Sequence, residues 1–246
     1  PITPPGTQAG DKGQGGALAH STEHRGQETA KRSYRVSAPT RQRILVEAAR
    51  IFSSRGFEGT SLRSVAKAAG VDHSTLIHHF GDKTNLLHEA LQARDTAYTQ
   101  GNEIPDGIIT PLTVGALTAA LVRTAELGLQ DPESSQLFSV MSAEAGIEGH
   151  PAREYLQERH QILLSIFSEA IRAQRETGDL ADNGLPVEQE AARLIAAWEG
   201  LEVFGRLHPD LVDVPKLLEA TLRAGFGLVD GDEGAVLGRT PRTQQG

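Results

Sequence analysis

Residues 60–80, TSLRSVAKAAGVDHSTLIHHF, contain two short amphipathic stretches joined by a turn at residues 68–71. Leu62, Val65 and Ala66 recur at helical spacing in the first stretch, and Val71 and Leu76 can anchor the second stretch against it. The glycine in the turn lets the backbone reverse sharply, because it has no β carbon. This order is the helix-turn-helix pattern, in which the second helix keeps one face free for the major groove of DNA.

The predicted free face of the second helix carries small polar and hydrogen-bonding side chains. They are His73, Ser74, Thr75 and His78. Base edges in the major groove are recognised by such donors and acceptors, and none of these side chains is acidic. The pattern therefore predicts that these four residues contact a double-stranded DNA operator.

Helical periodicity continues beyond this segment, and a period of two is sustained over no strand length. Further helices are predicted over 40–55, after Asp82 with Leu86, Leu87, Ala90 and Leu91 on it, and over 113–129, 132–145, 151–176, 187–207 and 215–229. Prolines at 132, 151, 186 and 215 precede or open four of them, where a fixed φ suits the first turn. The predicted fold class is all-α, with an N-terminal three-helix helix-turn-helix domain followed by a larger C-terminal helical bundle.

Segments rich in Gly, Pro and polar residues divide the chain. Residues 1–36 are predicted to be a disordered tail, which ends in Lys31, Arg32 and Arg35, either an arm toward DNA or a solubilising segment. The helix-breaking stretch 101–112 lies near the end of the first domain. We therefore predict a DNA-binding domain at 37–95, an effector-binding and dimerisation domain at 96–230, and a second disordered tail at 231–246.

Charge is distributed unevenly along the chain, whose net charge is −8. Residues 31–95 carry 11 Lys and Arg against 6 Asp and Glu, whereas residues 96–246 carry 11 against 23. The first part is therefore net +5 and the second net −12. A polyanion contact is expected in the basic part alone, unless the asymmetry is chance.

Composition and motifs exclude several other classes of protein. There is no Cys, no apolar run long enough to span a membrane and no pattern of a secretory signal, so we expect a cytoplasmic protein without membrane contact. Zincin, nucleophile-elbow and phosphate-loop motifs are missing. We predict no catalytic residues, no metal site and no cofactor, and we interpret Glu199 and Glu202 as a solvated helix edge.

Residues 40–91 resemble the tetracycline-repressor (TetR) family of bacterial regulators. The matching positions are Phe52, Gly56, Phe57, Thr60, Arg63, Ala66, Ala69, Gly70, Val71, Leu76, His79, Phe80, Lys83, Leu86 and Leu87. The resemblance implies a homodimer that represses transcription from a palindromic operator and is released by a small molecule. It also implies DNA contacts for Thr60 and Arg63, and a phosphate contact for Lys83.

Two positions depart from the family pattern. Ile77 stands where the family usually has a Tyr whose hydroxyl contacts the DNA backbone, and Asp72 replaces the more usual Ser. Asp72 can still cap the following helix with its carboxylate. The loss of a donor at Ile77 leaves an alternative open, a helical ligand-binding or interaction protein with a degenerate helix-turn-helix.

The C-terminal part matches the family only in its layout of helices. Bulky candidates for effector contact are Phe138, Met141, Tyr155, Phe167 and Trp198, although residues of this kind are more typical of the core of a helical bundle. They predict an apolar or amphipathic effector. The last two helices carry stripes predicted to form a dimer interface, namely Ala191, Leu194, Ile195, Trp198, Leu201, Phe204, Leu217, Leu218, Thr221, Leu222 and Gly225.

Overall fold

The computed structural model of the chain describes residues 38–101 and 113–229, together with residues 231, 234, 235 and 237. Within these ranges nine helices follow one another. They are α1 (residues 38–55), α2 (Leu62–Ala68), α3 (His73–Phe80), α4 (Lys83–Gly101), α5 (Val114–Gln130), α6 (Pro132–Glu144), α7 (Arg153–Thr177), α8 (Val187–Leu207) and α9 (Val214–Phe226). The predicted all-α class is confirmed. Of the described residues, those from 44 onward belong to one compact unit, and the helical residues 38–43 belong to another.

Local sequence signals account for most helix ends. Ser61 and Ser64 form a capping box at the start of α2, and the side chains of Asp131 and Asp213 accept from the backbone at the starts of α6 and α9. Pro132 occupies the first turn of α6, where its missing N–H costs nothing. Gly70 has a φ of +63° between α2 and α3, as the predicted turn requires.

Two hydrophobic cores hold the helices together. The first is built from α1 to α4 and is completed by Leu137, Phe138 and Met141 of α6 and by Leu156 of α7. The second lies among α5, α7, α8 and α9. The predicted domain boundary at 95/96 falls inside the continuous helix α4. Helices α1 to α4 therefore share their core with two helices of the C-terminal part.

Part of the predicted C-terminal tail is packed. The carbonyl of Ala235 accepts from the Val114 amide at 2.9 Å, and the Ala235 amide donates to the buried Gln174 side chain at 2.6 Å. Leu237 also packs against the second core. The prediction of disorder over 231–246 therefore needs correction at these residues. The predicted N-terminal tail and its basic arm lie outside the described residues.

None of the described helices has both the length and the apolar character required to cross a membrane.

Candidate functional site

The α3 helix exposes the polar face that the sequence predicts. His73, Ser74 and His78 are exposed and Thr75 is half-buried, whereas Leu76 is buried in the first core together with Phe80 at the end of the helix. Arg63 is also exposed, on α2. An anchored helix with an exposed donor-rich side has the form needed to enter a DNA groove.

Thr60 does not belong to this exposed face. Its side chain is 3% exposed, and its hydroxyl donates to the carbonyl of Gly56 at 2.7 Å. That bond ties the chain before α2 to the end of α1. Thr60 therefore has a packing role, and we leave it out of the proposed set of DNA-contacting residues.

Lys83 has partners within the protein. Its ammonium donates to the carbonyl of Phe57 at 3.0 Å and lies 4.0 Å from the centre of the Phe57 ring. Both interactions attach the start of α4 to the segment after α1. An ammonium has three N–H groups, and the Phe57 carbonyl takes one of them. A phosphate contact by another N–H group stays a proposal.

The two departures from the family pattern have different structural settings. Asp72 is the N-cap residue of α3, but its carboxylate makes no capping hydrogen bond, contrary to the expectation. Ile77 is 37% exposed on the same helix as His73 and His78. The candidate DNA-facing surface therefore includes an apolar side chain and an uncommitted carboxylate.

Helix α6 is hydrogen-bonded to α1 and to the turn after it. The Glu144 carboxylate accepts from the Phe57 amide at 2.9 Å, and the side chain of Gln136 donates to the Ser53 carbonyl at 3.2 Å. Glu144 lies so close to Gly56 that a β carbon there would be 1.9 Å from its oxygen. The helix-turn-helix is thus connected to α6 by polar contacts as well as by the shared core.

An ionic cluster connects α4 to α7. Asp95 pairs with Arg94 at 2.9 Å and with Arg159 at 3.3 Å, and it accepts from the Tyr155 hydroxyl at 2.6 Å. Burial and the hydrogen bond to Asp95 raise the pKa of Tyr155. The two guanidinium groups also lie over the Phe138 ring at 4.6 and 4.3 Å. This cluster holds the helix that runs from the helix-turn-helix into the C-terminal part.

Comparison with known proteins agrees with this geometry. Residues 44–90, from the second turn of α1 through the first turns of α4, match the family model described as bacterial regulatory proteins of the tetR family. Over these residues the chain is similar to the TetR family. The transcriptional regulator AcrR of Shigella flexneri is 43% identical over 60 residues, which are 24% of this chain and 28% of AcrR.

Two other proteins are similar over longer ranges. The regulator TcmR of Streptomyces glaucescens is 27% identical over 177 residues, 70% of this chain and 66% of TcmR. The structure of the SmeT–triclosan complex superposes with a TM-score of 0.63 at 23% identity and covers 83% of this chain and all of SmeT. The family fold therefore extends over the C-terminal helices, where sequence similarity is low.

The five predicted effector contacts do not gather around one cavity. Phe138 and Met141 are buried in the first core, with Tyr155 packed against it, whereas Phe167 and Trp198 are buried in the second. A cavity of about 670 Å³ lies elsewhere, among α5, α6, α8 and the segment before α9, and none of the five lines it. Selecting bulky side chains from the sequence therefore identified residues of the two cores. An effector contact at these five positions stays a prediction.

Glu202 lies in the wall of that cavity and is half-buried, contrary to the interpretation of Glu199 and Glu202 as a solvated edge. Glu199 is hydrogen-bonded to His160 at 2.8 Å. The sequence signal for Glu202 was its position one helical turn from Trp198 on a buried helix. That signal could not show which tertiary neighbours surround it.

Proposed function

We propose that this chain is a transcriptional repressor that binds a palindromic DNA operator as a homodimer and leaves it when a small molecule binds. The observation that carries the proposal is the exposed face of His73, Ser74 and His78 on a helix-turn-helix that matches the family model. The operator contacts are assigned to Arg63, His73, Ser74, Thr75, His78 and Lys83. We propose DNA binding at 37–95 and effector binding and dimerisation at 96–230.

A second copy of the chain is proposed to cover the exposed apolar side of α8 and α9. On α8, Phe204 is 49% exposed, Leu207 is 70% exposed and Val203 is exposed next to Phe204 in sequence; on α9, Leu217 is exposed as well. Most of the stripe predicted from sequence is instead buried in the chain's own core, including Ala191, Leu194, Ile195, Trp198, Leu218, Leu222 and Gly225. Two copies can bury the remaining apolar side in a symmetric interface.

Dimerisation supplies the geometry that operator binding needs. Two recognition helices must lie about 34–36 Å apart to enter successive major grooves on one side of DNA. A ligand that binds more tightly to a conformation in which the two helices are differently spaced shifts the protein toward that conformation. The protein then leaves the operator. Such a regulator acts where the chromosome is, so we place it in the cytoplasm and assign it no catalytic step. The solved structure of SmeT holds triclosan, a small molecule of the proposed kind.

The test is DNA binding by the full chain to the segment upstream of its own gene, compared with a scrambled duplex. His73→Ala should relax the preference for one base position by about 1–3 kcal/mol. Gln157→Ala, which removes a polar side chain at an exposed position of α7, outside α3 and outside the proposed dimer side of α8 and α9, is the control and should leave the preference unchanged. Equal binding of both duplexes by the unmodified protein would contradict the proposal.

Ile77 favours the alternative of a helical ligand-binding protein with a degenerate helix-turn-helix, because an exposed apolar residue stands where a hydroxyl would donate to phosphate. Ile77→Tyr separates the two functions. If the chain already binds its operator, the new hydroxyl should strengthen binding modestly. If binding of a specific duplex appears only in this variant, the degenerate motif is the correct description.

A further inference from the structure

The cavity of about 670 Å³ has an apolar lining interrupted by charged groups. Its walls come from the end of α5, the start of α6, the end of α8 and residues 209–214. Leu129, Leu211 and Val212 are among the apolar side chains that line it. A space of this size with few polar groups is typical of sites for small molecules.

The charges in the lining are predominantly negative. Glu202, Asp210 and Asp213 contribute three carboxyl groups, and Arg206 contributes the single guanidinium of the lining. Asp213 is occupied in part, because it caps the backbone amide of Lys216. Arg206 donates to the hydroxyls of Ser135 and Ser139 of α6 at 3.0–3.2 Å. A bound anion would therefore meet three carboxyl groups and an arginine already engaged elsewhere.

Glu202 is the half-buried carboxyl of the lining, whereas Asp210 and Asp213 are exposed. It makes no hydrogen bond to any residue that the structure describes. Burial raises its pKa, with Glu199 adding to the effect, and Arg94, Arg206 and Arg159 oppose it. A half-buried carboxyl without a donor is costly, and a ligand that brings a positively charged N–H group would relieve that cost.

We propose that this cavity is the effector site and that it takes an amphipathic molecule with an apolar body and a protonated amine, which pairs with Glu202. The word effector rests on the proposed regulatory function, whereas binding of the amine does not. The apolar body lies against the leucine and valine side chains, and the amine replaces the missing donor. An anionic or neutral ligand of the same shape gains the apolar contact but not the ion pair.

The position of the cavity connects it to the helix-turn-helix. Ser135 of α6 lines the cavity and accepts from Arg206, while Glu144 at the far end of the same helix holds the Phe57 amide. A ligand that displaces Arg206 from α6 therefore acts on a helix whose other end contacts the segment after α1. This gives the amine a route to the DNA-binding helices through one rigid element.

The first experiment titrates the full-length protein, without DNA, with decylamine, decanoate and 1-decanol, all below their aggregation concentrations. Binding is followed by the emission of Trp198, the single tryptophan, which lies one helical turn from Glu202. Decylamine should bind at least tenfold more tightly than the other two probes. Equal affinity for all three, tighter binding of decanoate, or no binding of decylamine would overturn the proposal.

Two variants locate the amine. Glu202→Gln should lower the affinity for decylamine at least tenfold and leave that for decanol unchanged, whereas Glu219→Gln, exposed on α9 and outside the lining, should preserve both. Circular dichroism checks that both variants fold. The probe comparison in the unmodified protein needs no variant, so it decides the matter even if Glu202→Gln is unstable.

A third experiment, which measures DNA binding, tests this proposal separately from the proposed function. Decylamine should release the full-length protein from the duplex upstream of its gene, and decanoate should not. Selective amine binding together with no specific DNA binding would refute the regulatory function and leave the amine site standing. Specific DNA binding without amine selectivity would refute the amine site alone.

Discussion

The hydrogen bond between Glu144 and the Phe57 amide leads to a quantitative prediction. Glu144→Ala removes the acceptor and leaves a partly buried backbone N–H without its protein partner. Hydrogen bonds to charged groups contribute about 1.5–3 kcal/mol, and the side chain of Glu144 is 31% exposed, so the lower end applies. We expect a loss of about 1.5 kcal/mol in the free energy of unfolding.

For a chain of this length, that loss corresponds to a decrease in the melting temperature of about 3–6 °C. Glu144→Gln keeps a carbonyl that can accept from Phe57 but loses the charge and the pairing with His150 at 3.3 Å. It should therefore fall between the unmodified protein and Glu144→Ala.

The assay is urea unfolding, followed by circular dichroism at fixed protein concentration, because the proposed dimerisation would make the stability depend on concentration. Glu148→Ala removes an exposed carboxylate four residues away and is the matched control, expected within about 0.5 kcal/mol of the unmodified protein. Equal losses for Glu144→Ala and Glu148→Ala would refute the claim that this bond joins α6 to the helix-turn-helix. An intermediate position for Glu144→Gln is the second requirement.

Three further measurements test other parts of the molecule. Arg63→Ala should reduce the slope of log affinity for DNA against log salt by about one, with little change in stability, because an exposed phosphate contact releases one counterion; an unchanged slope would remove Arg63 from the interface. Leu207→Asp should give a monomer in sedimentation at micromolar concentration, whereas Ile147→Asp, at an equally exposed leucine-sized site away from α8 and α9, should not. Glu202→Gln should stabilise the protein at neutral pH: the folded-state pKa of Glu202 is raised, so its ionisation costs stability as the pH rises above the unfolded value. That advantage should shrink toward acid pH in parallel melting curves, and a constant difference would contradict it.

Helix positions were predictable wherever a local signal marks the end. The bounds of α8 agree with the predicted 187–207, and α6 starts at Pro132 as expected. Pro and Asp favour the start of a helix through effects on its first turn, which the local sequence shows. The spacing of the apolar residues on α8 could not show which of them pack in the chain's own core and which are exposed. Trp198 faces the chain's own core and Leu207 faces outward, and only the packed structure distinguishes them.

The chemistry of individual side chains was less predictable, because it depends on residues distant in sequence. Lys83 meets a carbonyl 26 residues earlier, and Thr60 is buried against the end of α1. The carboxyl of Glu202 is half-buried because α5, α6 and the segment before α9 form a cavity around it. A helical wheel of α8 shows none of these neighbours.

The core that α6 and α7 share with the helix-turn-helix limits how this protein can be re-engineered. A hybrid regulator made by cutting at residue 95 and attaching a foreign sensor would strip Leu137, Phe138, Met141 and Leu156 from the core. Each lost large side chain costs about 2–5 kcal/mol in a packed interior, more in sum than a typical domain has to spare. A workable graft therefore keeps α6 and the first turn of α7 with the DNA-binding helices and exchanges only what lies beyond them.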